Sequence, residues 1–513
     1  MRFPRQSGIL LHPTSLPGSH GIGDFGPEAY GFIQFLTEAR QTLWQMLPLG
    51  PTGFGDSPYQ TFSTFAGNPL LISLDALVDA GLLSAADLAG ARFPSGNVDY
   101  AAVIRFKLPL LDRAAQAFSS DAGPARRAAF DAFCTAHRDW LDDFALFMTA
   151  KRAHAMNAWT TWEPALRDRV PAALEALRRT RAAAIEAEKF KQFVFFEQFR
   201  ALRAACHRAG IHLMGDIPIY AAGDGSDVWS ARRFWHLNAD GTPALQAGVP
   251  PDYFSATGQL WGNPIYRWDE MERDGYRWWI QRIRAVFEMF DTVRIDHFRG
   301  FQAFWEVPGG ETTAINGRWT PGPGIRFFEA VAEQLGDLAI VAENLGVITP
   351  EVEALRQRFG FPGMAVLQFA FGRDPQASSF RPHNYPREIV AYTGTHDNDT
   401  TVGWWTSGGE GDSTRTPEMI ADEHDYALRY LGLAGGEEIH WSCIRALMAS
   451  VARTVVFPAQ DLLGLGTPAR MNMPSSLGNN WLWRLEPGSL TSQIAMRLKE
   501  MVQLYDRQPA ADS

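Results

Sequence analysis

Three short stretches carry side chains suited to acid–base and nucleophilic work. The first is Val293-Arg294-Ile295-Asp296-His297-Phe298-Arg299-Gly300. Its alternation reads as a strand, with Val293 and Ile295 on one face and Arg294, Asp296 and Phe298 on the other. A guanidinium and a carboxylate then stand side by side just before a glycine. The cation favours the charged carboxylate, which a carboxylate nucleophile requires. The second is Glu343, which follows five apolar residues and has no neighbouring cation in sequence. Burial there raises its pKa and keeps it protonated. The third is His396-Asp397, just beyond another apolar run. Singly, each has a plainer reading as an ion pair, a helix cap or polar surface. Together, two carboxylates in opposite environments match what glycosidic cleavage needs, one as nucleophile and the other as acid and then base. Asp397, with His396 beside it, is expected to bond sugar hydroxyls and steady the distorted ring.

Eight apolar runs can bring these residues to one place: 8–12, 42–49, 211–219, 293–300, 338–343, 365–369, 389–393 and 454–457. Helical periodicity separates them for most of the length, at 27–40, 276–290, 326–335, 426–431 and 437–452. The pattern predicts a parallel (β/α)₈ TIM barrel, in which chemistry sits at the C-terminal ends of the strands. Between the second and third runs, about 70–210 reads as a mainly helical insertion, with helices over 106–118, 125–152 and 184–209 and Gly210 as the last stop. About 221–275 reads as a long aromatic loop insertion at the active site, rich in glycine and proline. The whole of 1–513 is then one catalytic unit. Gly21-Ile22-Gly23-Asp24-Phe25-Gly26 formally matches a dinucleotide fingerprint. Prolines intervene between it and its strand, and no acidic strand end follows, so it is read as a loop.

At 513 residues, 46% hydrophobic and 20% charged, the chain can bury a large core, and an α/β barrel with insertions can absorb this length. A net charge of −10 argues against nucleic acid as a partner. Cys134, Cys206 and Cys443 are few and far apart, so no disulfide framework is expected, and a reducing cytoplasm fits. No cluster with metal-ligand spacing is found, so no metal and no cofactor are expected. Neither a leader peptide nor a run of ~18 apolar residues is present, so no membrane association is expected.

The three site stretches resemble the signature regions of the α-amylase superfamily. The chain is most similar to the 4-α-glucanotransferases called amylomaltases or disproportionating enzymes, glycoside hydrolase family 77. The resemblance extends to Asp56-Ser57-Pro58-Tyr59-Gln60, Gly215-Asp216-Ile217-Pro218-Ile219-Tyr220, Pro250-Pro251-Asp252-Tyr253-Phe254-Ser255 and Trp261-Gly262-Asn263-Pro264. It implies a retaining double displacement, with Asp296 as nucleophile, Glu343 as acid/base and Asp397 as transition-state stabiliser. Arg294, His396, Tyr59, Ser57, Asp216, Tyr253, Phe254 and Trp261 are the implied substrate-binding residues. The implied partners are an α-1,4-glucan donor and a glucose or maltooligosaccharide acceptor, with cyclic glucans as a further product. The chain ends soon after the eighth run, so no C-terminal β-domain is expected. Two positions depart from the family pattern: Asn344, where the family commonly has Asp, and Tyr220-Ala221-Ala222-Gly223-Asp224. Residue chemistry alone leaves transfer and hydrolysis open, and the resemblance decides for transfer. The intact carboxylate trio argues against a non-catalytic glucan-binding barrel. Tyr59 and Trp229 are held as alternative acceptor contacts.

Overall fold

The computed structural model describes residues 3–251, 257–408, 416–474, 476 and 478–508. Eight parallel strands follow one another around a barrel: Gln6–Leu10, Leu43–Gln45, His212–Ile217, Thr292–Ile295, Ile340–Ala342, Gly363–Val366, Ile389–Tyr392 and Thr454–Pro458. They are called strands one to eight below. Strand one pairs with strand eight (Gln6 opposite Thr454) and with strand two (Gly8 opposite Leu43), which closes the sheet on that side. Strands five and six form no ladder. Their seam is spanned by the Ala342 N–H donating to the Pro362 carbonyl (2.9 Å) and the Met364 N–H donating to Asn344 Oδ1 (2.8 Å). The strands are buried almost throughout because helices cover their outer face and side chains fill the interior.

The expected strands are present but shorter than the apolar runs. The fourth stops at Ile295 because His297 takes a left-handed backbone (φ 50°), and Phe298–Phe301 forms a 3₁₀ turn. Phe298 therefore does not continue the Arg294–Asp296 face; it is buried among Phe301, Phe328 and Phe361. The single helix expected over 125–152 is two, Pro124–Ala136 and Arg138–Ala153, broken at His137. That residue leaves the helical region so that its ring can pack on Phe133 and Phe196. The glycine-rich 21–26 stretch is a structural loop, with Asp24 accepting from the buried Lys107 ammonium at 2.9 Å.

The long segment read as loop contributes half of a second, four-stranded antiparallel sheet. Its order is Gln259–Pro264, Leu245–Val249, Ala303–Pro308 and Arg318–Pro321. These strands are short and broken by glycine and proline, and the central pair, Leu245–Val249 with Ala303–Pro308, joins across some 60 residues, so no local alternation announces them. The sheet follows directly on the exit of strand four, and it carries Trp261 over that exit.

Candidate active site

Arg294 organises the floor of the site. Strand register sets it opposite Asp216 of strand three, and the period of two sets it beside Asp296. Its buried guanidinium donates from Nη1 to Asp216 Oδ2 (2.7 Å) and from Nη2 to Asp296 Oδ1 (2.9 Å). Burial works against this cation, but the two carboxylates outweigh it and hold its pKa well above the ordinary value. Asp216 is fully buried and also accepts from the Tyr59 hydroxyl at 2.9 Å. Burial lifts its pKa, opposed chiefly by Arg294. Asp296 keeps 27% of its side chain exposed, so its second oxygen is free for a substrate.

Glu343 leaves strand five one residue past Ala342, which pairs with Ile295, so it stands beside Asp296 across neighbouring strands. In-register strands lie about 5 Å apart, so the two residues start from neighbouring backbones at one end of the barrel. The Glu343 carboxylate accepts from the backbone N–H groups of His297 (2.7 Å, Oε2) and Leu345 (2.8 Å, Oε1). Burial pushes its pKa up to about 7. Arg294 opposes that rise, the Asp296 charge adds to it, and the two N–H donors oppose it more weakly. Near neutrality it can therefore give and take a proton, while Asp296 lies in direct contact with a guanidinium.

Asp397 is held differently. It follows strand seven in a loop, with 43% of its side chain exposed. Asn472 Nδ2 donates to its Oδ1 at 2.6 Å, and Arg470 donates to its carbonyl at 2.6 Å. The neighbouring His396 Nε2 lies 3.4 Å from Oδ1. Burial lowers the His396 pKa, with Asp397 opposing, so its ring is neutral at pH 7. Tyr59 stacks on that ring (5.1 Å, 16°), and Trp481 packs against both. Asn472, Arg470 and Trp481 were missed in the sequence, since no periodic element or acidic run marks them.

Trp261 stands edge-on to His297, ring centroids 4.8 Å apart, beside the Asp296 strand end. The His297 pKa is pushed down to about 3 by burial. Ser57 turns inward, its hydroxyl accepting the Tyr59 N–H at 3.2 Å, and so shapes the turn that presents Tyr59. Tyr253 and Phe254 lie outside the described residues. Trp229 is no acceptor contact, because it is fully buried with its indole N–H on the Leu166 carbonyl. Away from the site, His207, His212 and Asp291 bring three ligand atoms within 4.8 Å of one another. Asp291 is already committed to Arg203, His207 and the Leu213 N–H, which makes this an ion-pair pin at the opposite end of the barrel.

The family model for the 4-α-glucanotransferases of glycoside hydrolase family 77 matches residues 11–491. A 4-α-glucanotransferase of Thermus thermophilus is 48% identical over 99% of this chain and all of its own. One from Synechocystis is also 48% identical, over 98% of both chains. The amylomaltase of Streptococcus agalactiae, solved in complex with acarbose, superposes with a TM-score of 0.93 at 40% identity, covering 98% of this chain and 99% of that one.

Proposed function

The chain belongs to the 4-α-glucanotransferases of glycoside hydrolase family 77 and transfers α-1,4-glucan segments, and from that premise we propose that Asp296, Glu343 and Asp397 carry the reaction as a retaining double displacement. The observation behind this reading is the contrast between Asp296, bonded to a guanidinium, and Glu343, buried and raised to about 7 beside it. Glu343 in its acid form protonates the glycosidic oxygen as Asp296 attacks the anomeric carbon from the other side. The leaving chain departs, a covalent glycosyl-enzyme forms, and Glu343 is left as a carboxylate. It then takes the proton from an incoming sugar hydroxyl, which displaces Asp296 and restores the original configuration. Arg294 steadies the carboxylate of Asp296 before attack and after release. Asp397 accepts hydroxyls of the sugar ring as the ring flattens.

The choice of a sugar hydroxyl over water is assigned to the aromatic rim. Trp261 offers a flat face on which a glucose unit stacks at modest entropy cost. Intramolecular use of the same step closes cyclic glucans. The three free cysteines, Cys134, Cys206 and Cys443, suit a reducing cytoplasm. Among the described residues, no helix is long and apolar enough to cross a membrane.

The test uses Glu343→Gln with an α-maltosyl fluoride donor, whose leaving group needs no proton. The expected result is a burst of fluoride and a glycosyl adduct on the Asp296 peptide, seen by mass. An adduct elsewhere, or none despite confirmed donor binding, rejects the assignment.

A further inference from the structure

Resting on the reading of Glu343 as acid and base, we propose that Asn344 is a positioning residue for that group, tying the turn around its carboxylate to strand six without placing a charge beside it. The Leu345 N–H that donates to Glu343 Oε1 belongs to the peptide plane that begins at Asn344, so whatever anchors Asn344 aims that donor. The anchoring comes from both ends of its side-chain amide. Asn344 Oδ1 accepts from the Met364 N–H of strand six at 2.8 Å, and Nδ2 donates to Glu353 Oε1 on the helix Pro350–Arg358 at 2.6 Å. Only this orientation of the amide serves both neighbours, since an N–H needs an acceptor and a carboxylate needs a donor.

The seam makes this anchor matter. Strands five and six lack a ladder, so the Asn344 bond and the single Ala342–Pro362 backbone bond span it. Gly363 permits the close approach, because a Cβ there would lie 2.7 Å from Asn344 Oδ1. Glu353 is in turn held by Arg356, whose Nη2 lies 2.6 Å from Oε2. The titratable and charged groups around the Glu343 turn are Arg294 and Asp296 from strand four, His297 and Arg299 just beyond it, with the Arg299 guanidinium on the Val347 carbonyl, and the Glu353–Arg356 pair from the helix; burial keeps His297 neutral, and strand six brings Gly363 and Met364, which are neutral.

An aspartate at 344 could keep both bonds only while protonated, its carbonyl oxygen accepting and its O–H donating. Once ionised it would face Glu353 as a second carboxylate and raise the charge next to Glu343. The neutral amide makes the bridge independent of pH.

Two variants test this. Asn344→Ala should lower kcat/KM for maltotriose roughly tenfold, leave the α-maltosyl fluoride burst at the wild-type rate, and move the alkaline limb of the maltotriose profile to higher pH. The sign follows from loosening an N–H donor that favours the ionised carboxylate. Asn344→Asp should match the wild type at about pH 5 and, as the new carboxyl ionises, lose maltotriose turnover relative to the wild type at the same pH, with the fluoride burst kept. A lowered melting temperature with an unchanged alkaline limb and an unchanged ratio between the two donors would make Asn344 a seam residue only, and overturns the proposal. If Asn344→Ala does not fold, the Asn344→Asp titration decides in the same way, read as a ratio to the wild type at each pH: a maltotriose ratio that stays flat, or falls in parallel with the fluoride ratio, overturns it, and a fall in the maltotriose ratio alone supports it. Glu343→Gln separates the two readings, because failure of that variant to discriminate between the donors removes the acid/base assignment itself.

Discussion

Asp296 and Glu343 leave adjacent parallel strands one residue past the Ile295–Ala342 register pair, whereas Asp397 leaves strand seven into a loop that a segment from beyond strand eight holds in place. The first half of the site is positioned by barrel register and by a buried guanidinium, so its geometry is inseparable from the fold. The second half is positioned by direct hydrogen bonds from Arg470 and Asn472 to a half-exposed loop. This difference explains their electrostatics. Glu343 is enclosed and strongly shifted, while Asp397 keeps 43% of its side chain in contact with solvent. The contrast suits the roles proposed above, since a carboxylate that exchanges a proton needs burial and one that binds moving sugar hydroxyls needs an open side.

The largest effect is expected at the register-built half. Asp296→Ala should lower kcat/KM by on the order of 10⁵-fold, because the covalent route is lost, with folding retained by circular dichroism. A variant that keeps more than about 1% of the wild-type rate would take the nucleophile away from strand four. Glu343→Gln should cost roughly 10²–10⁴-fold with natural glucans and should also reveal what its burial costs. The folded pKa of about 7 lies above the unfolded value of roughly 4.3. Its stabilising contribution is therefore fully present below about pH 4.3 and lost as pH rises through 7. The Gln variant is expected to melt above the wild type at pH 8, with the gap closing towards pH 4. Wild-type kcat/KM should fall over the same upper range, as the acid form is depleted; a flat profile through pH 8 would contradict the assignment.

At the loop-built half the effects should be smaller and confined to activity. Asn472→Ala removes one hydrogen bond to a charged carboxylate, worth roughly 1.5–3 kcal/mol or about 10–100-fold in kcat/KM, while its backbone N–H still reaches the His396 carbonyl. A drop as large as that of Asp296→Ala would erase the distinction between the halves. The smallest effect is expected at the rim. Trp261→Ala should lower the ratio of disproportionation to glucose release on maltotriose by about threefold, at an unchanged melting temperature. An unchanged ratio would reduce Trp261 to packing against His297.

Much of the barrel and the three carboxylates was legible from local pattern. Arg294 beside Asp296, and Glu343 at the end of an apolar run, need only the period of two and the rule that barrel chemistry sits at strand ends. Strand four ended earlier than the alternation implied, because one left-handed residue, His297, is enough to turn the chain and bury Phe298. The second sheet escaped because its strands are short and broken by glycine and proline, and its central pair joins at long range.

What only tertiary structure decided is which distant side chains complete each carboxylate. Tyr59 reaches Asp216 across 157 residues and Asn472 reaches Asp397 across 75. It also decided which aromatics serve the site: Trp481 joins Tyr59 and His396, while Trp229, equally prominent in the sequence, is buried in the helical packing. The physical reason is range. Backbone periodicity is set by neighbours three or four residues away and is written into composition, whereas a hydrogen bond between chain-distant side chains exists only once the barrel has closed around both.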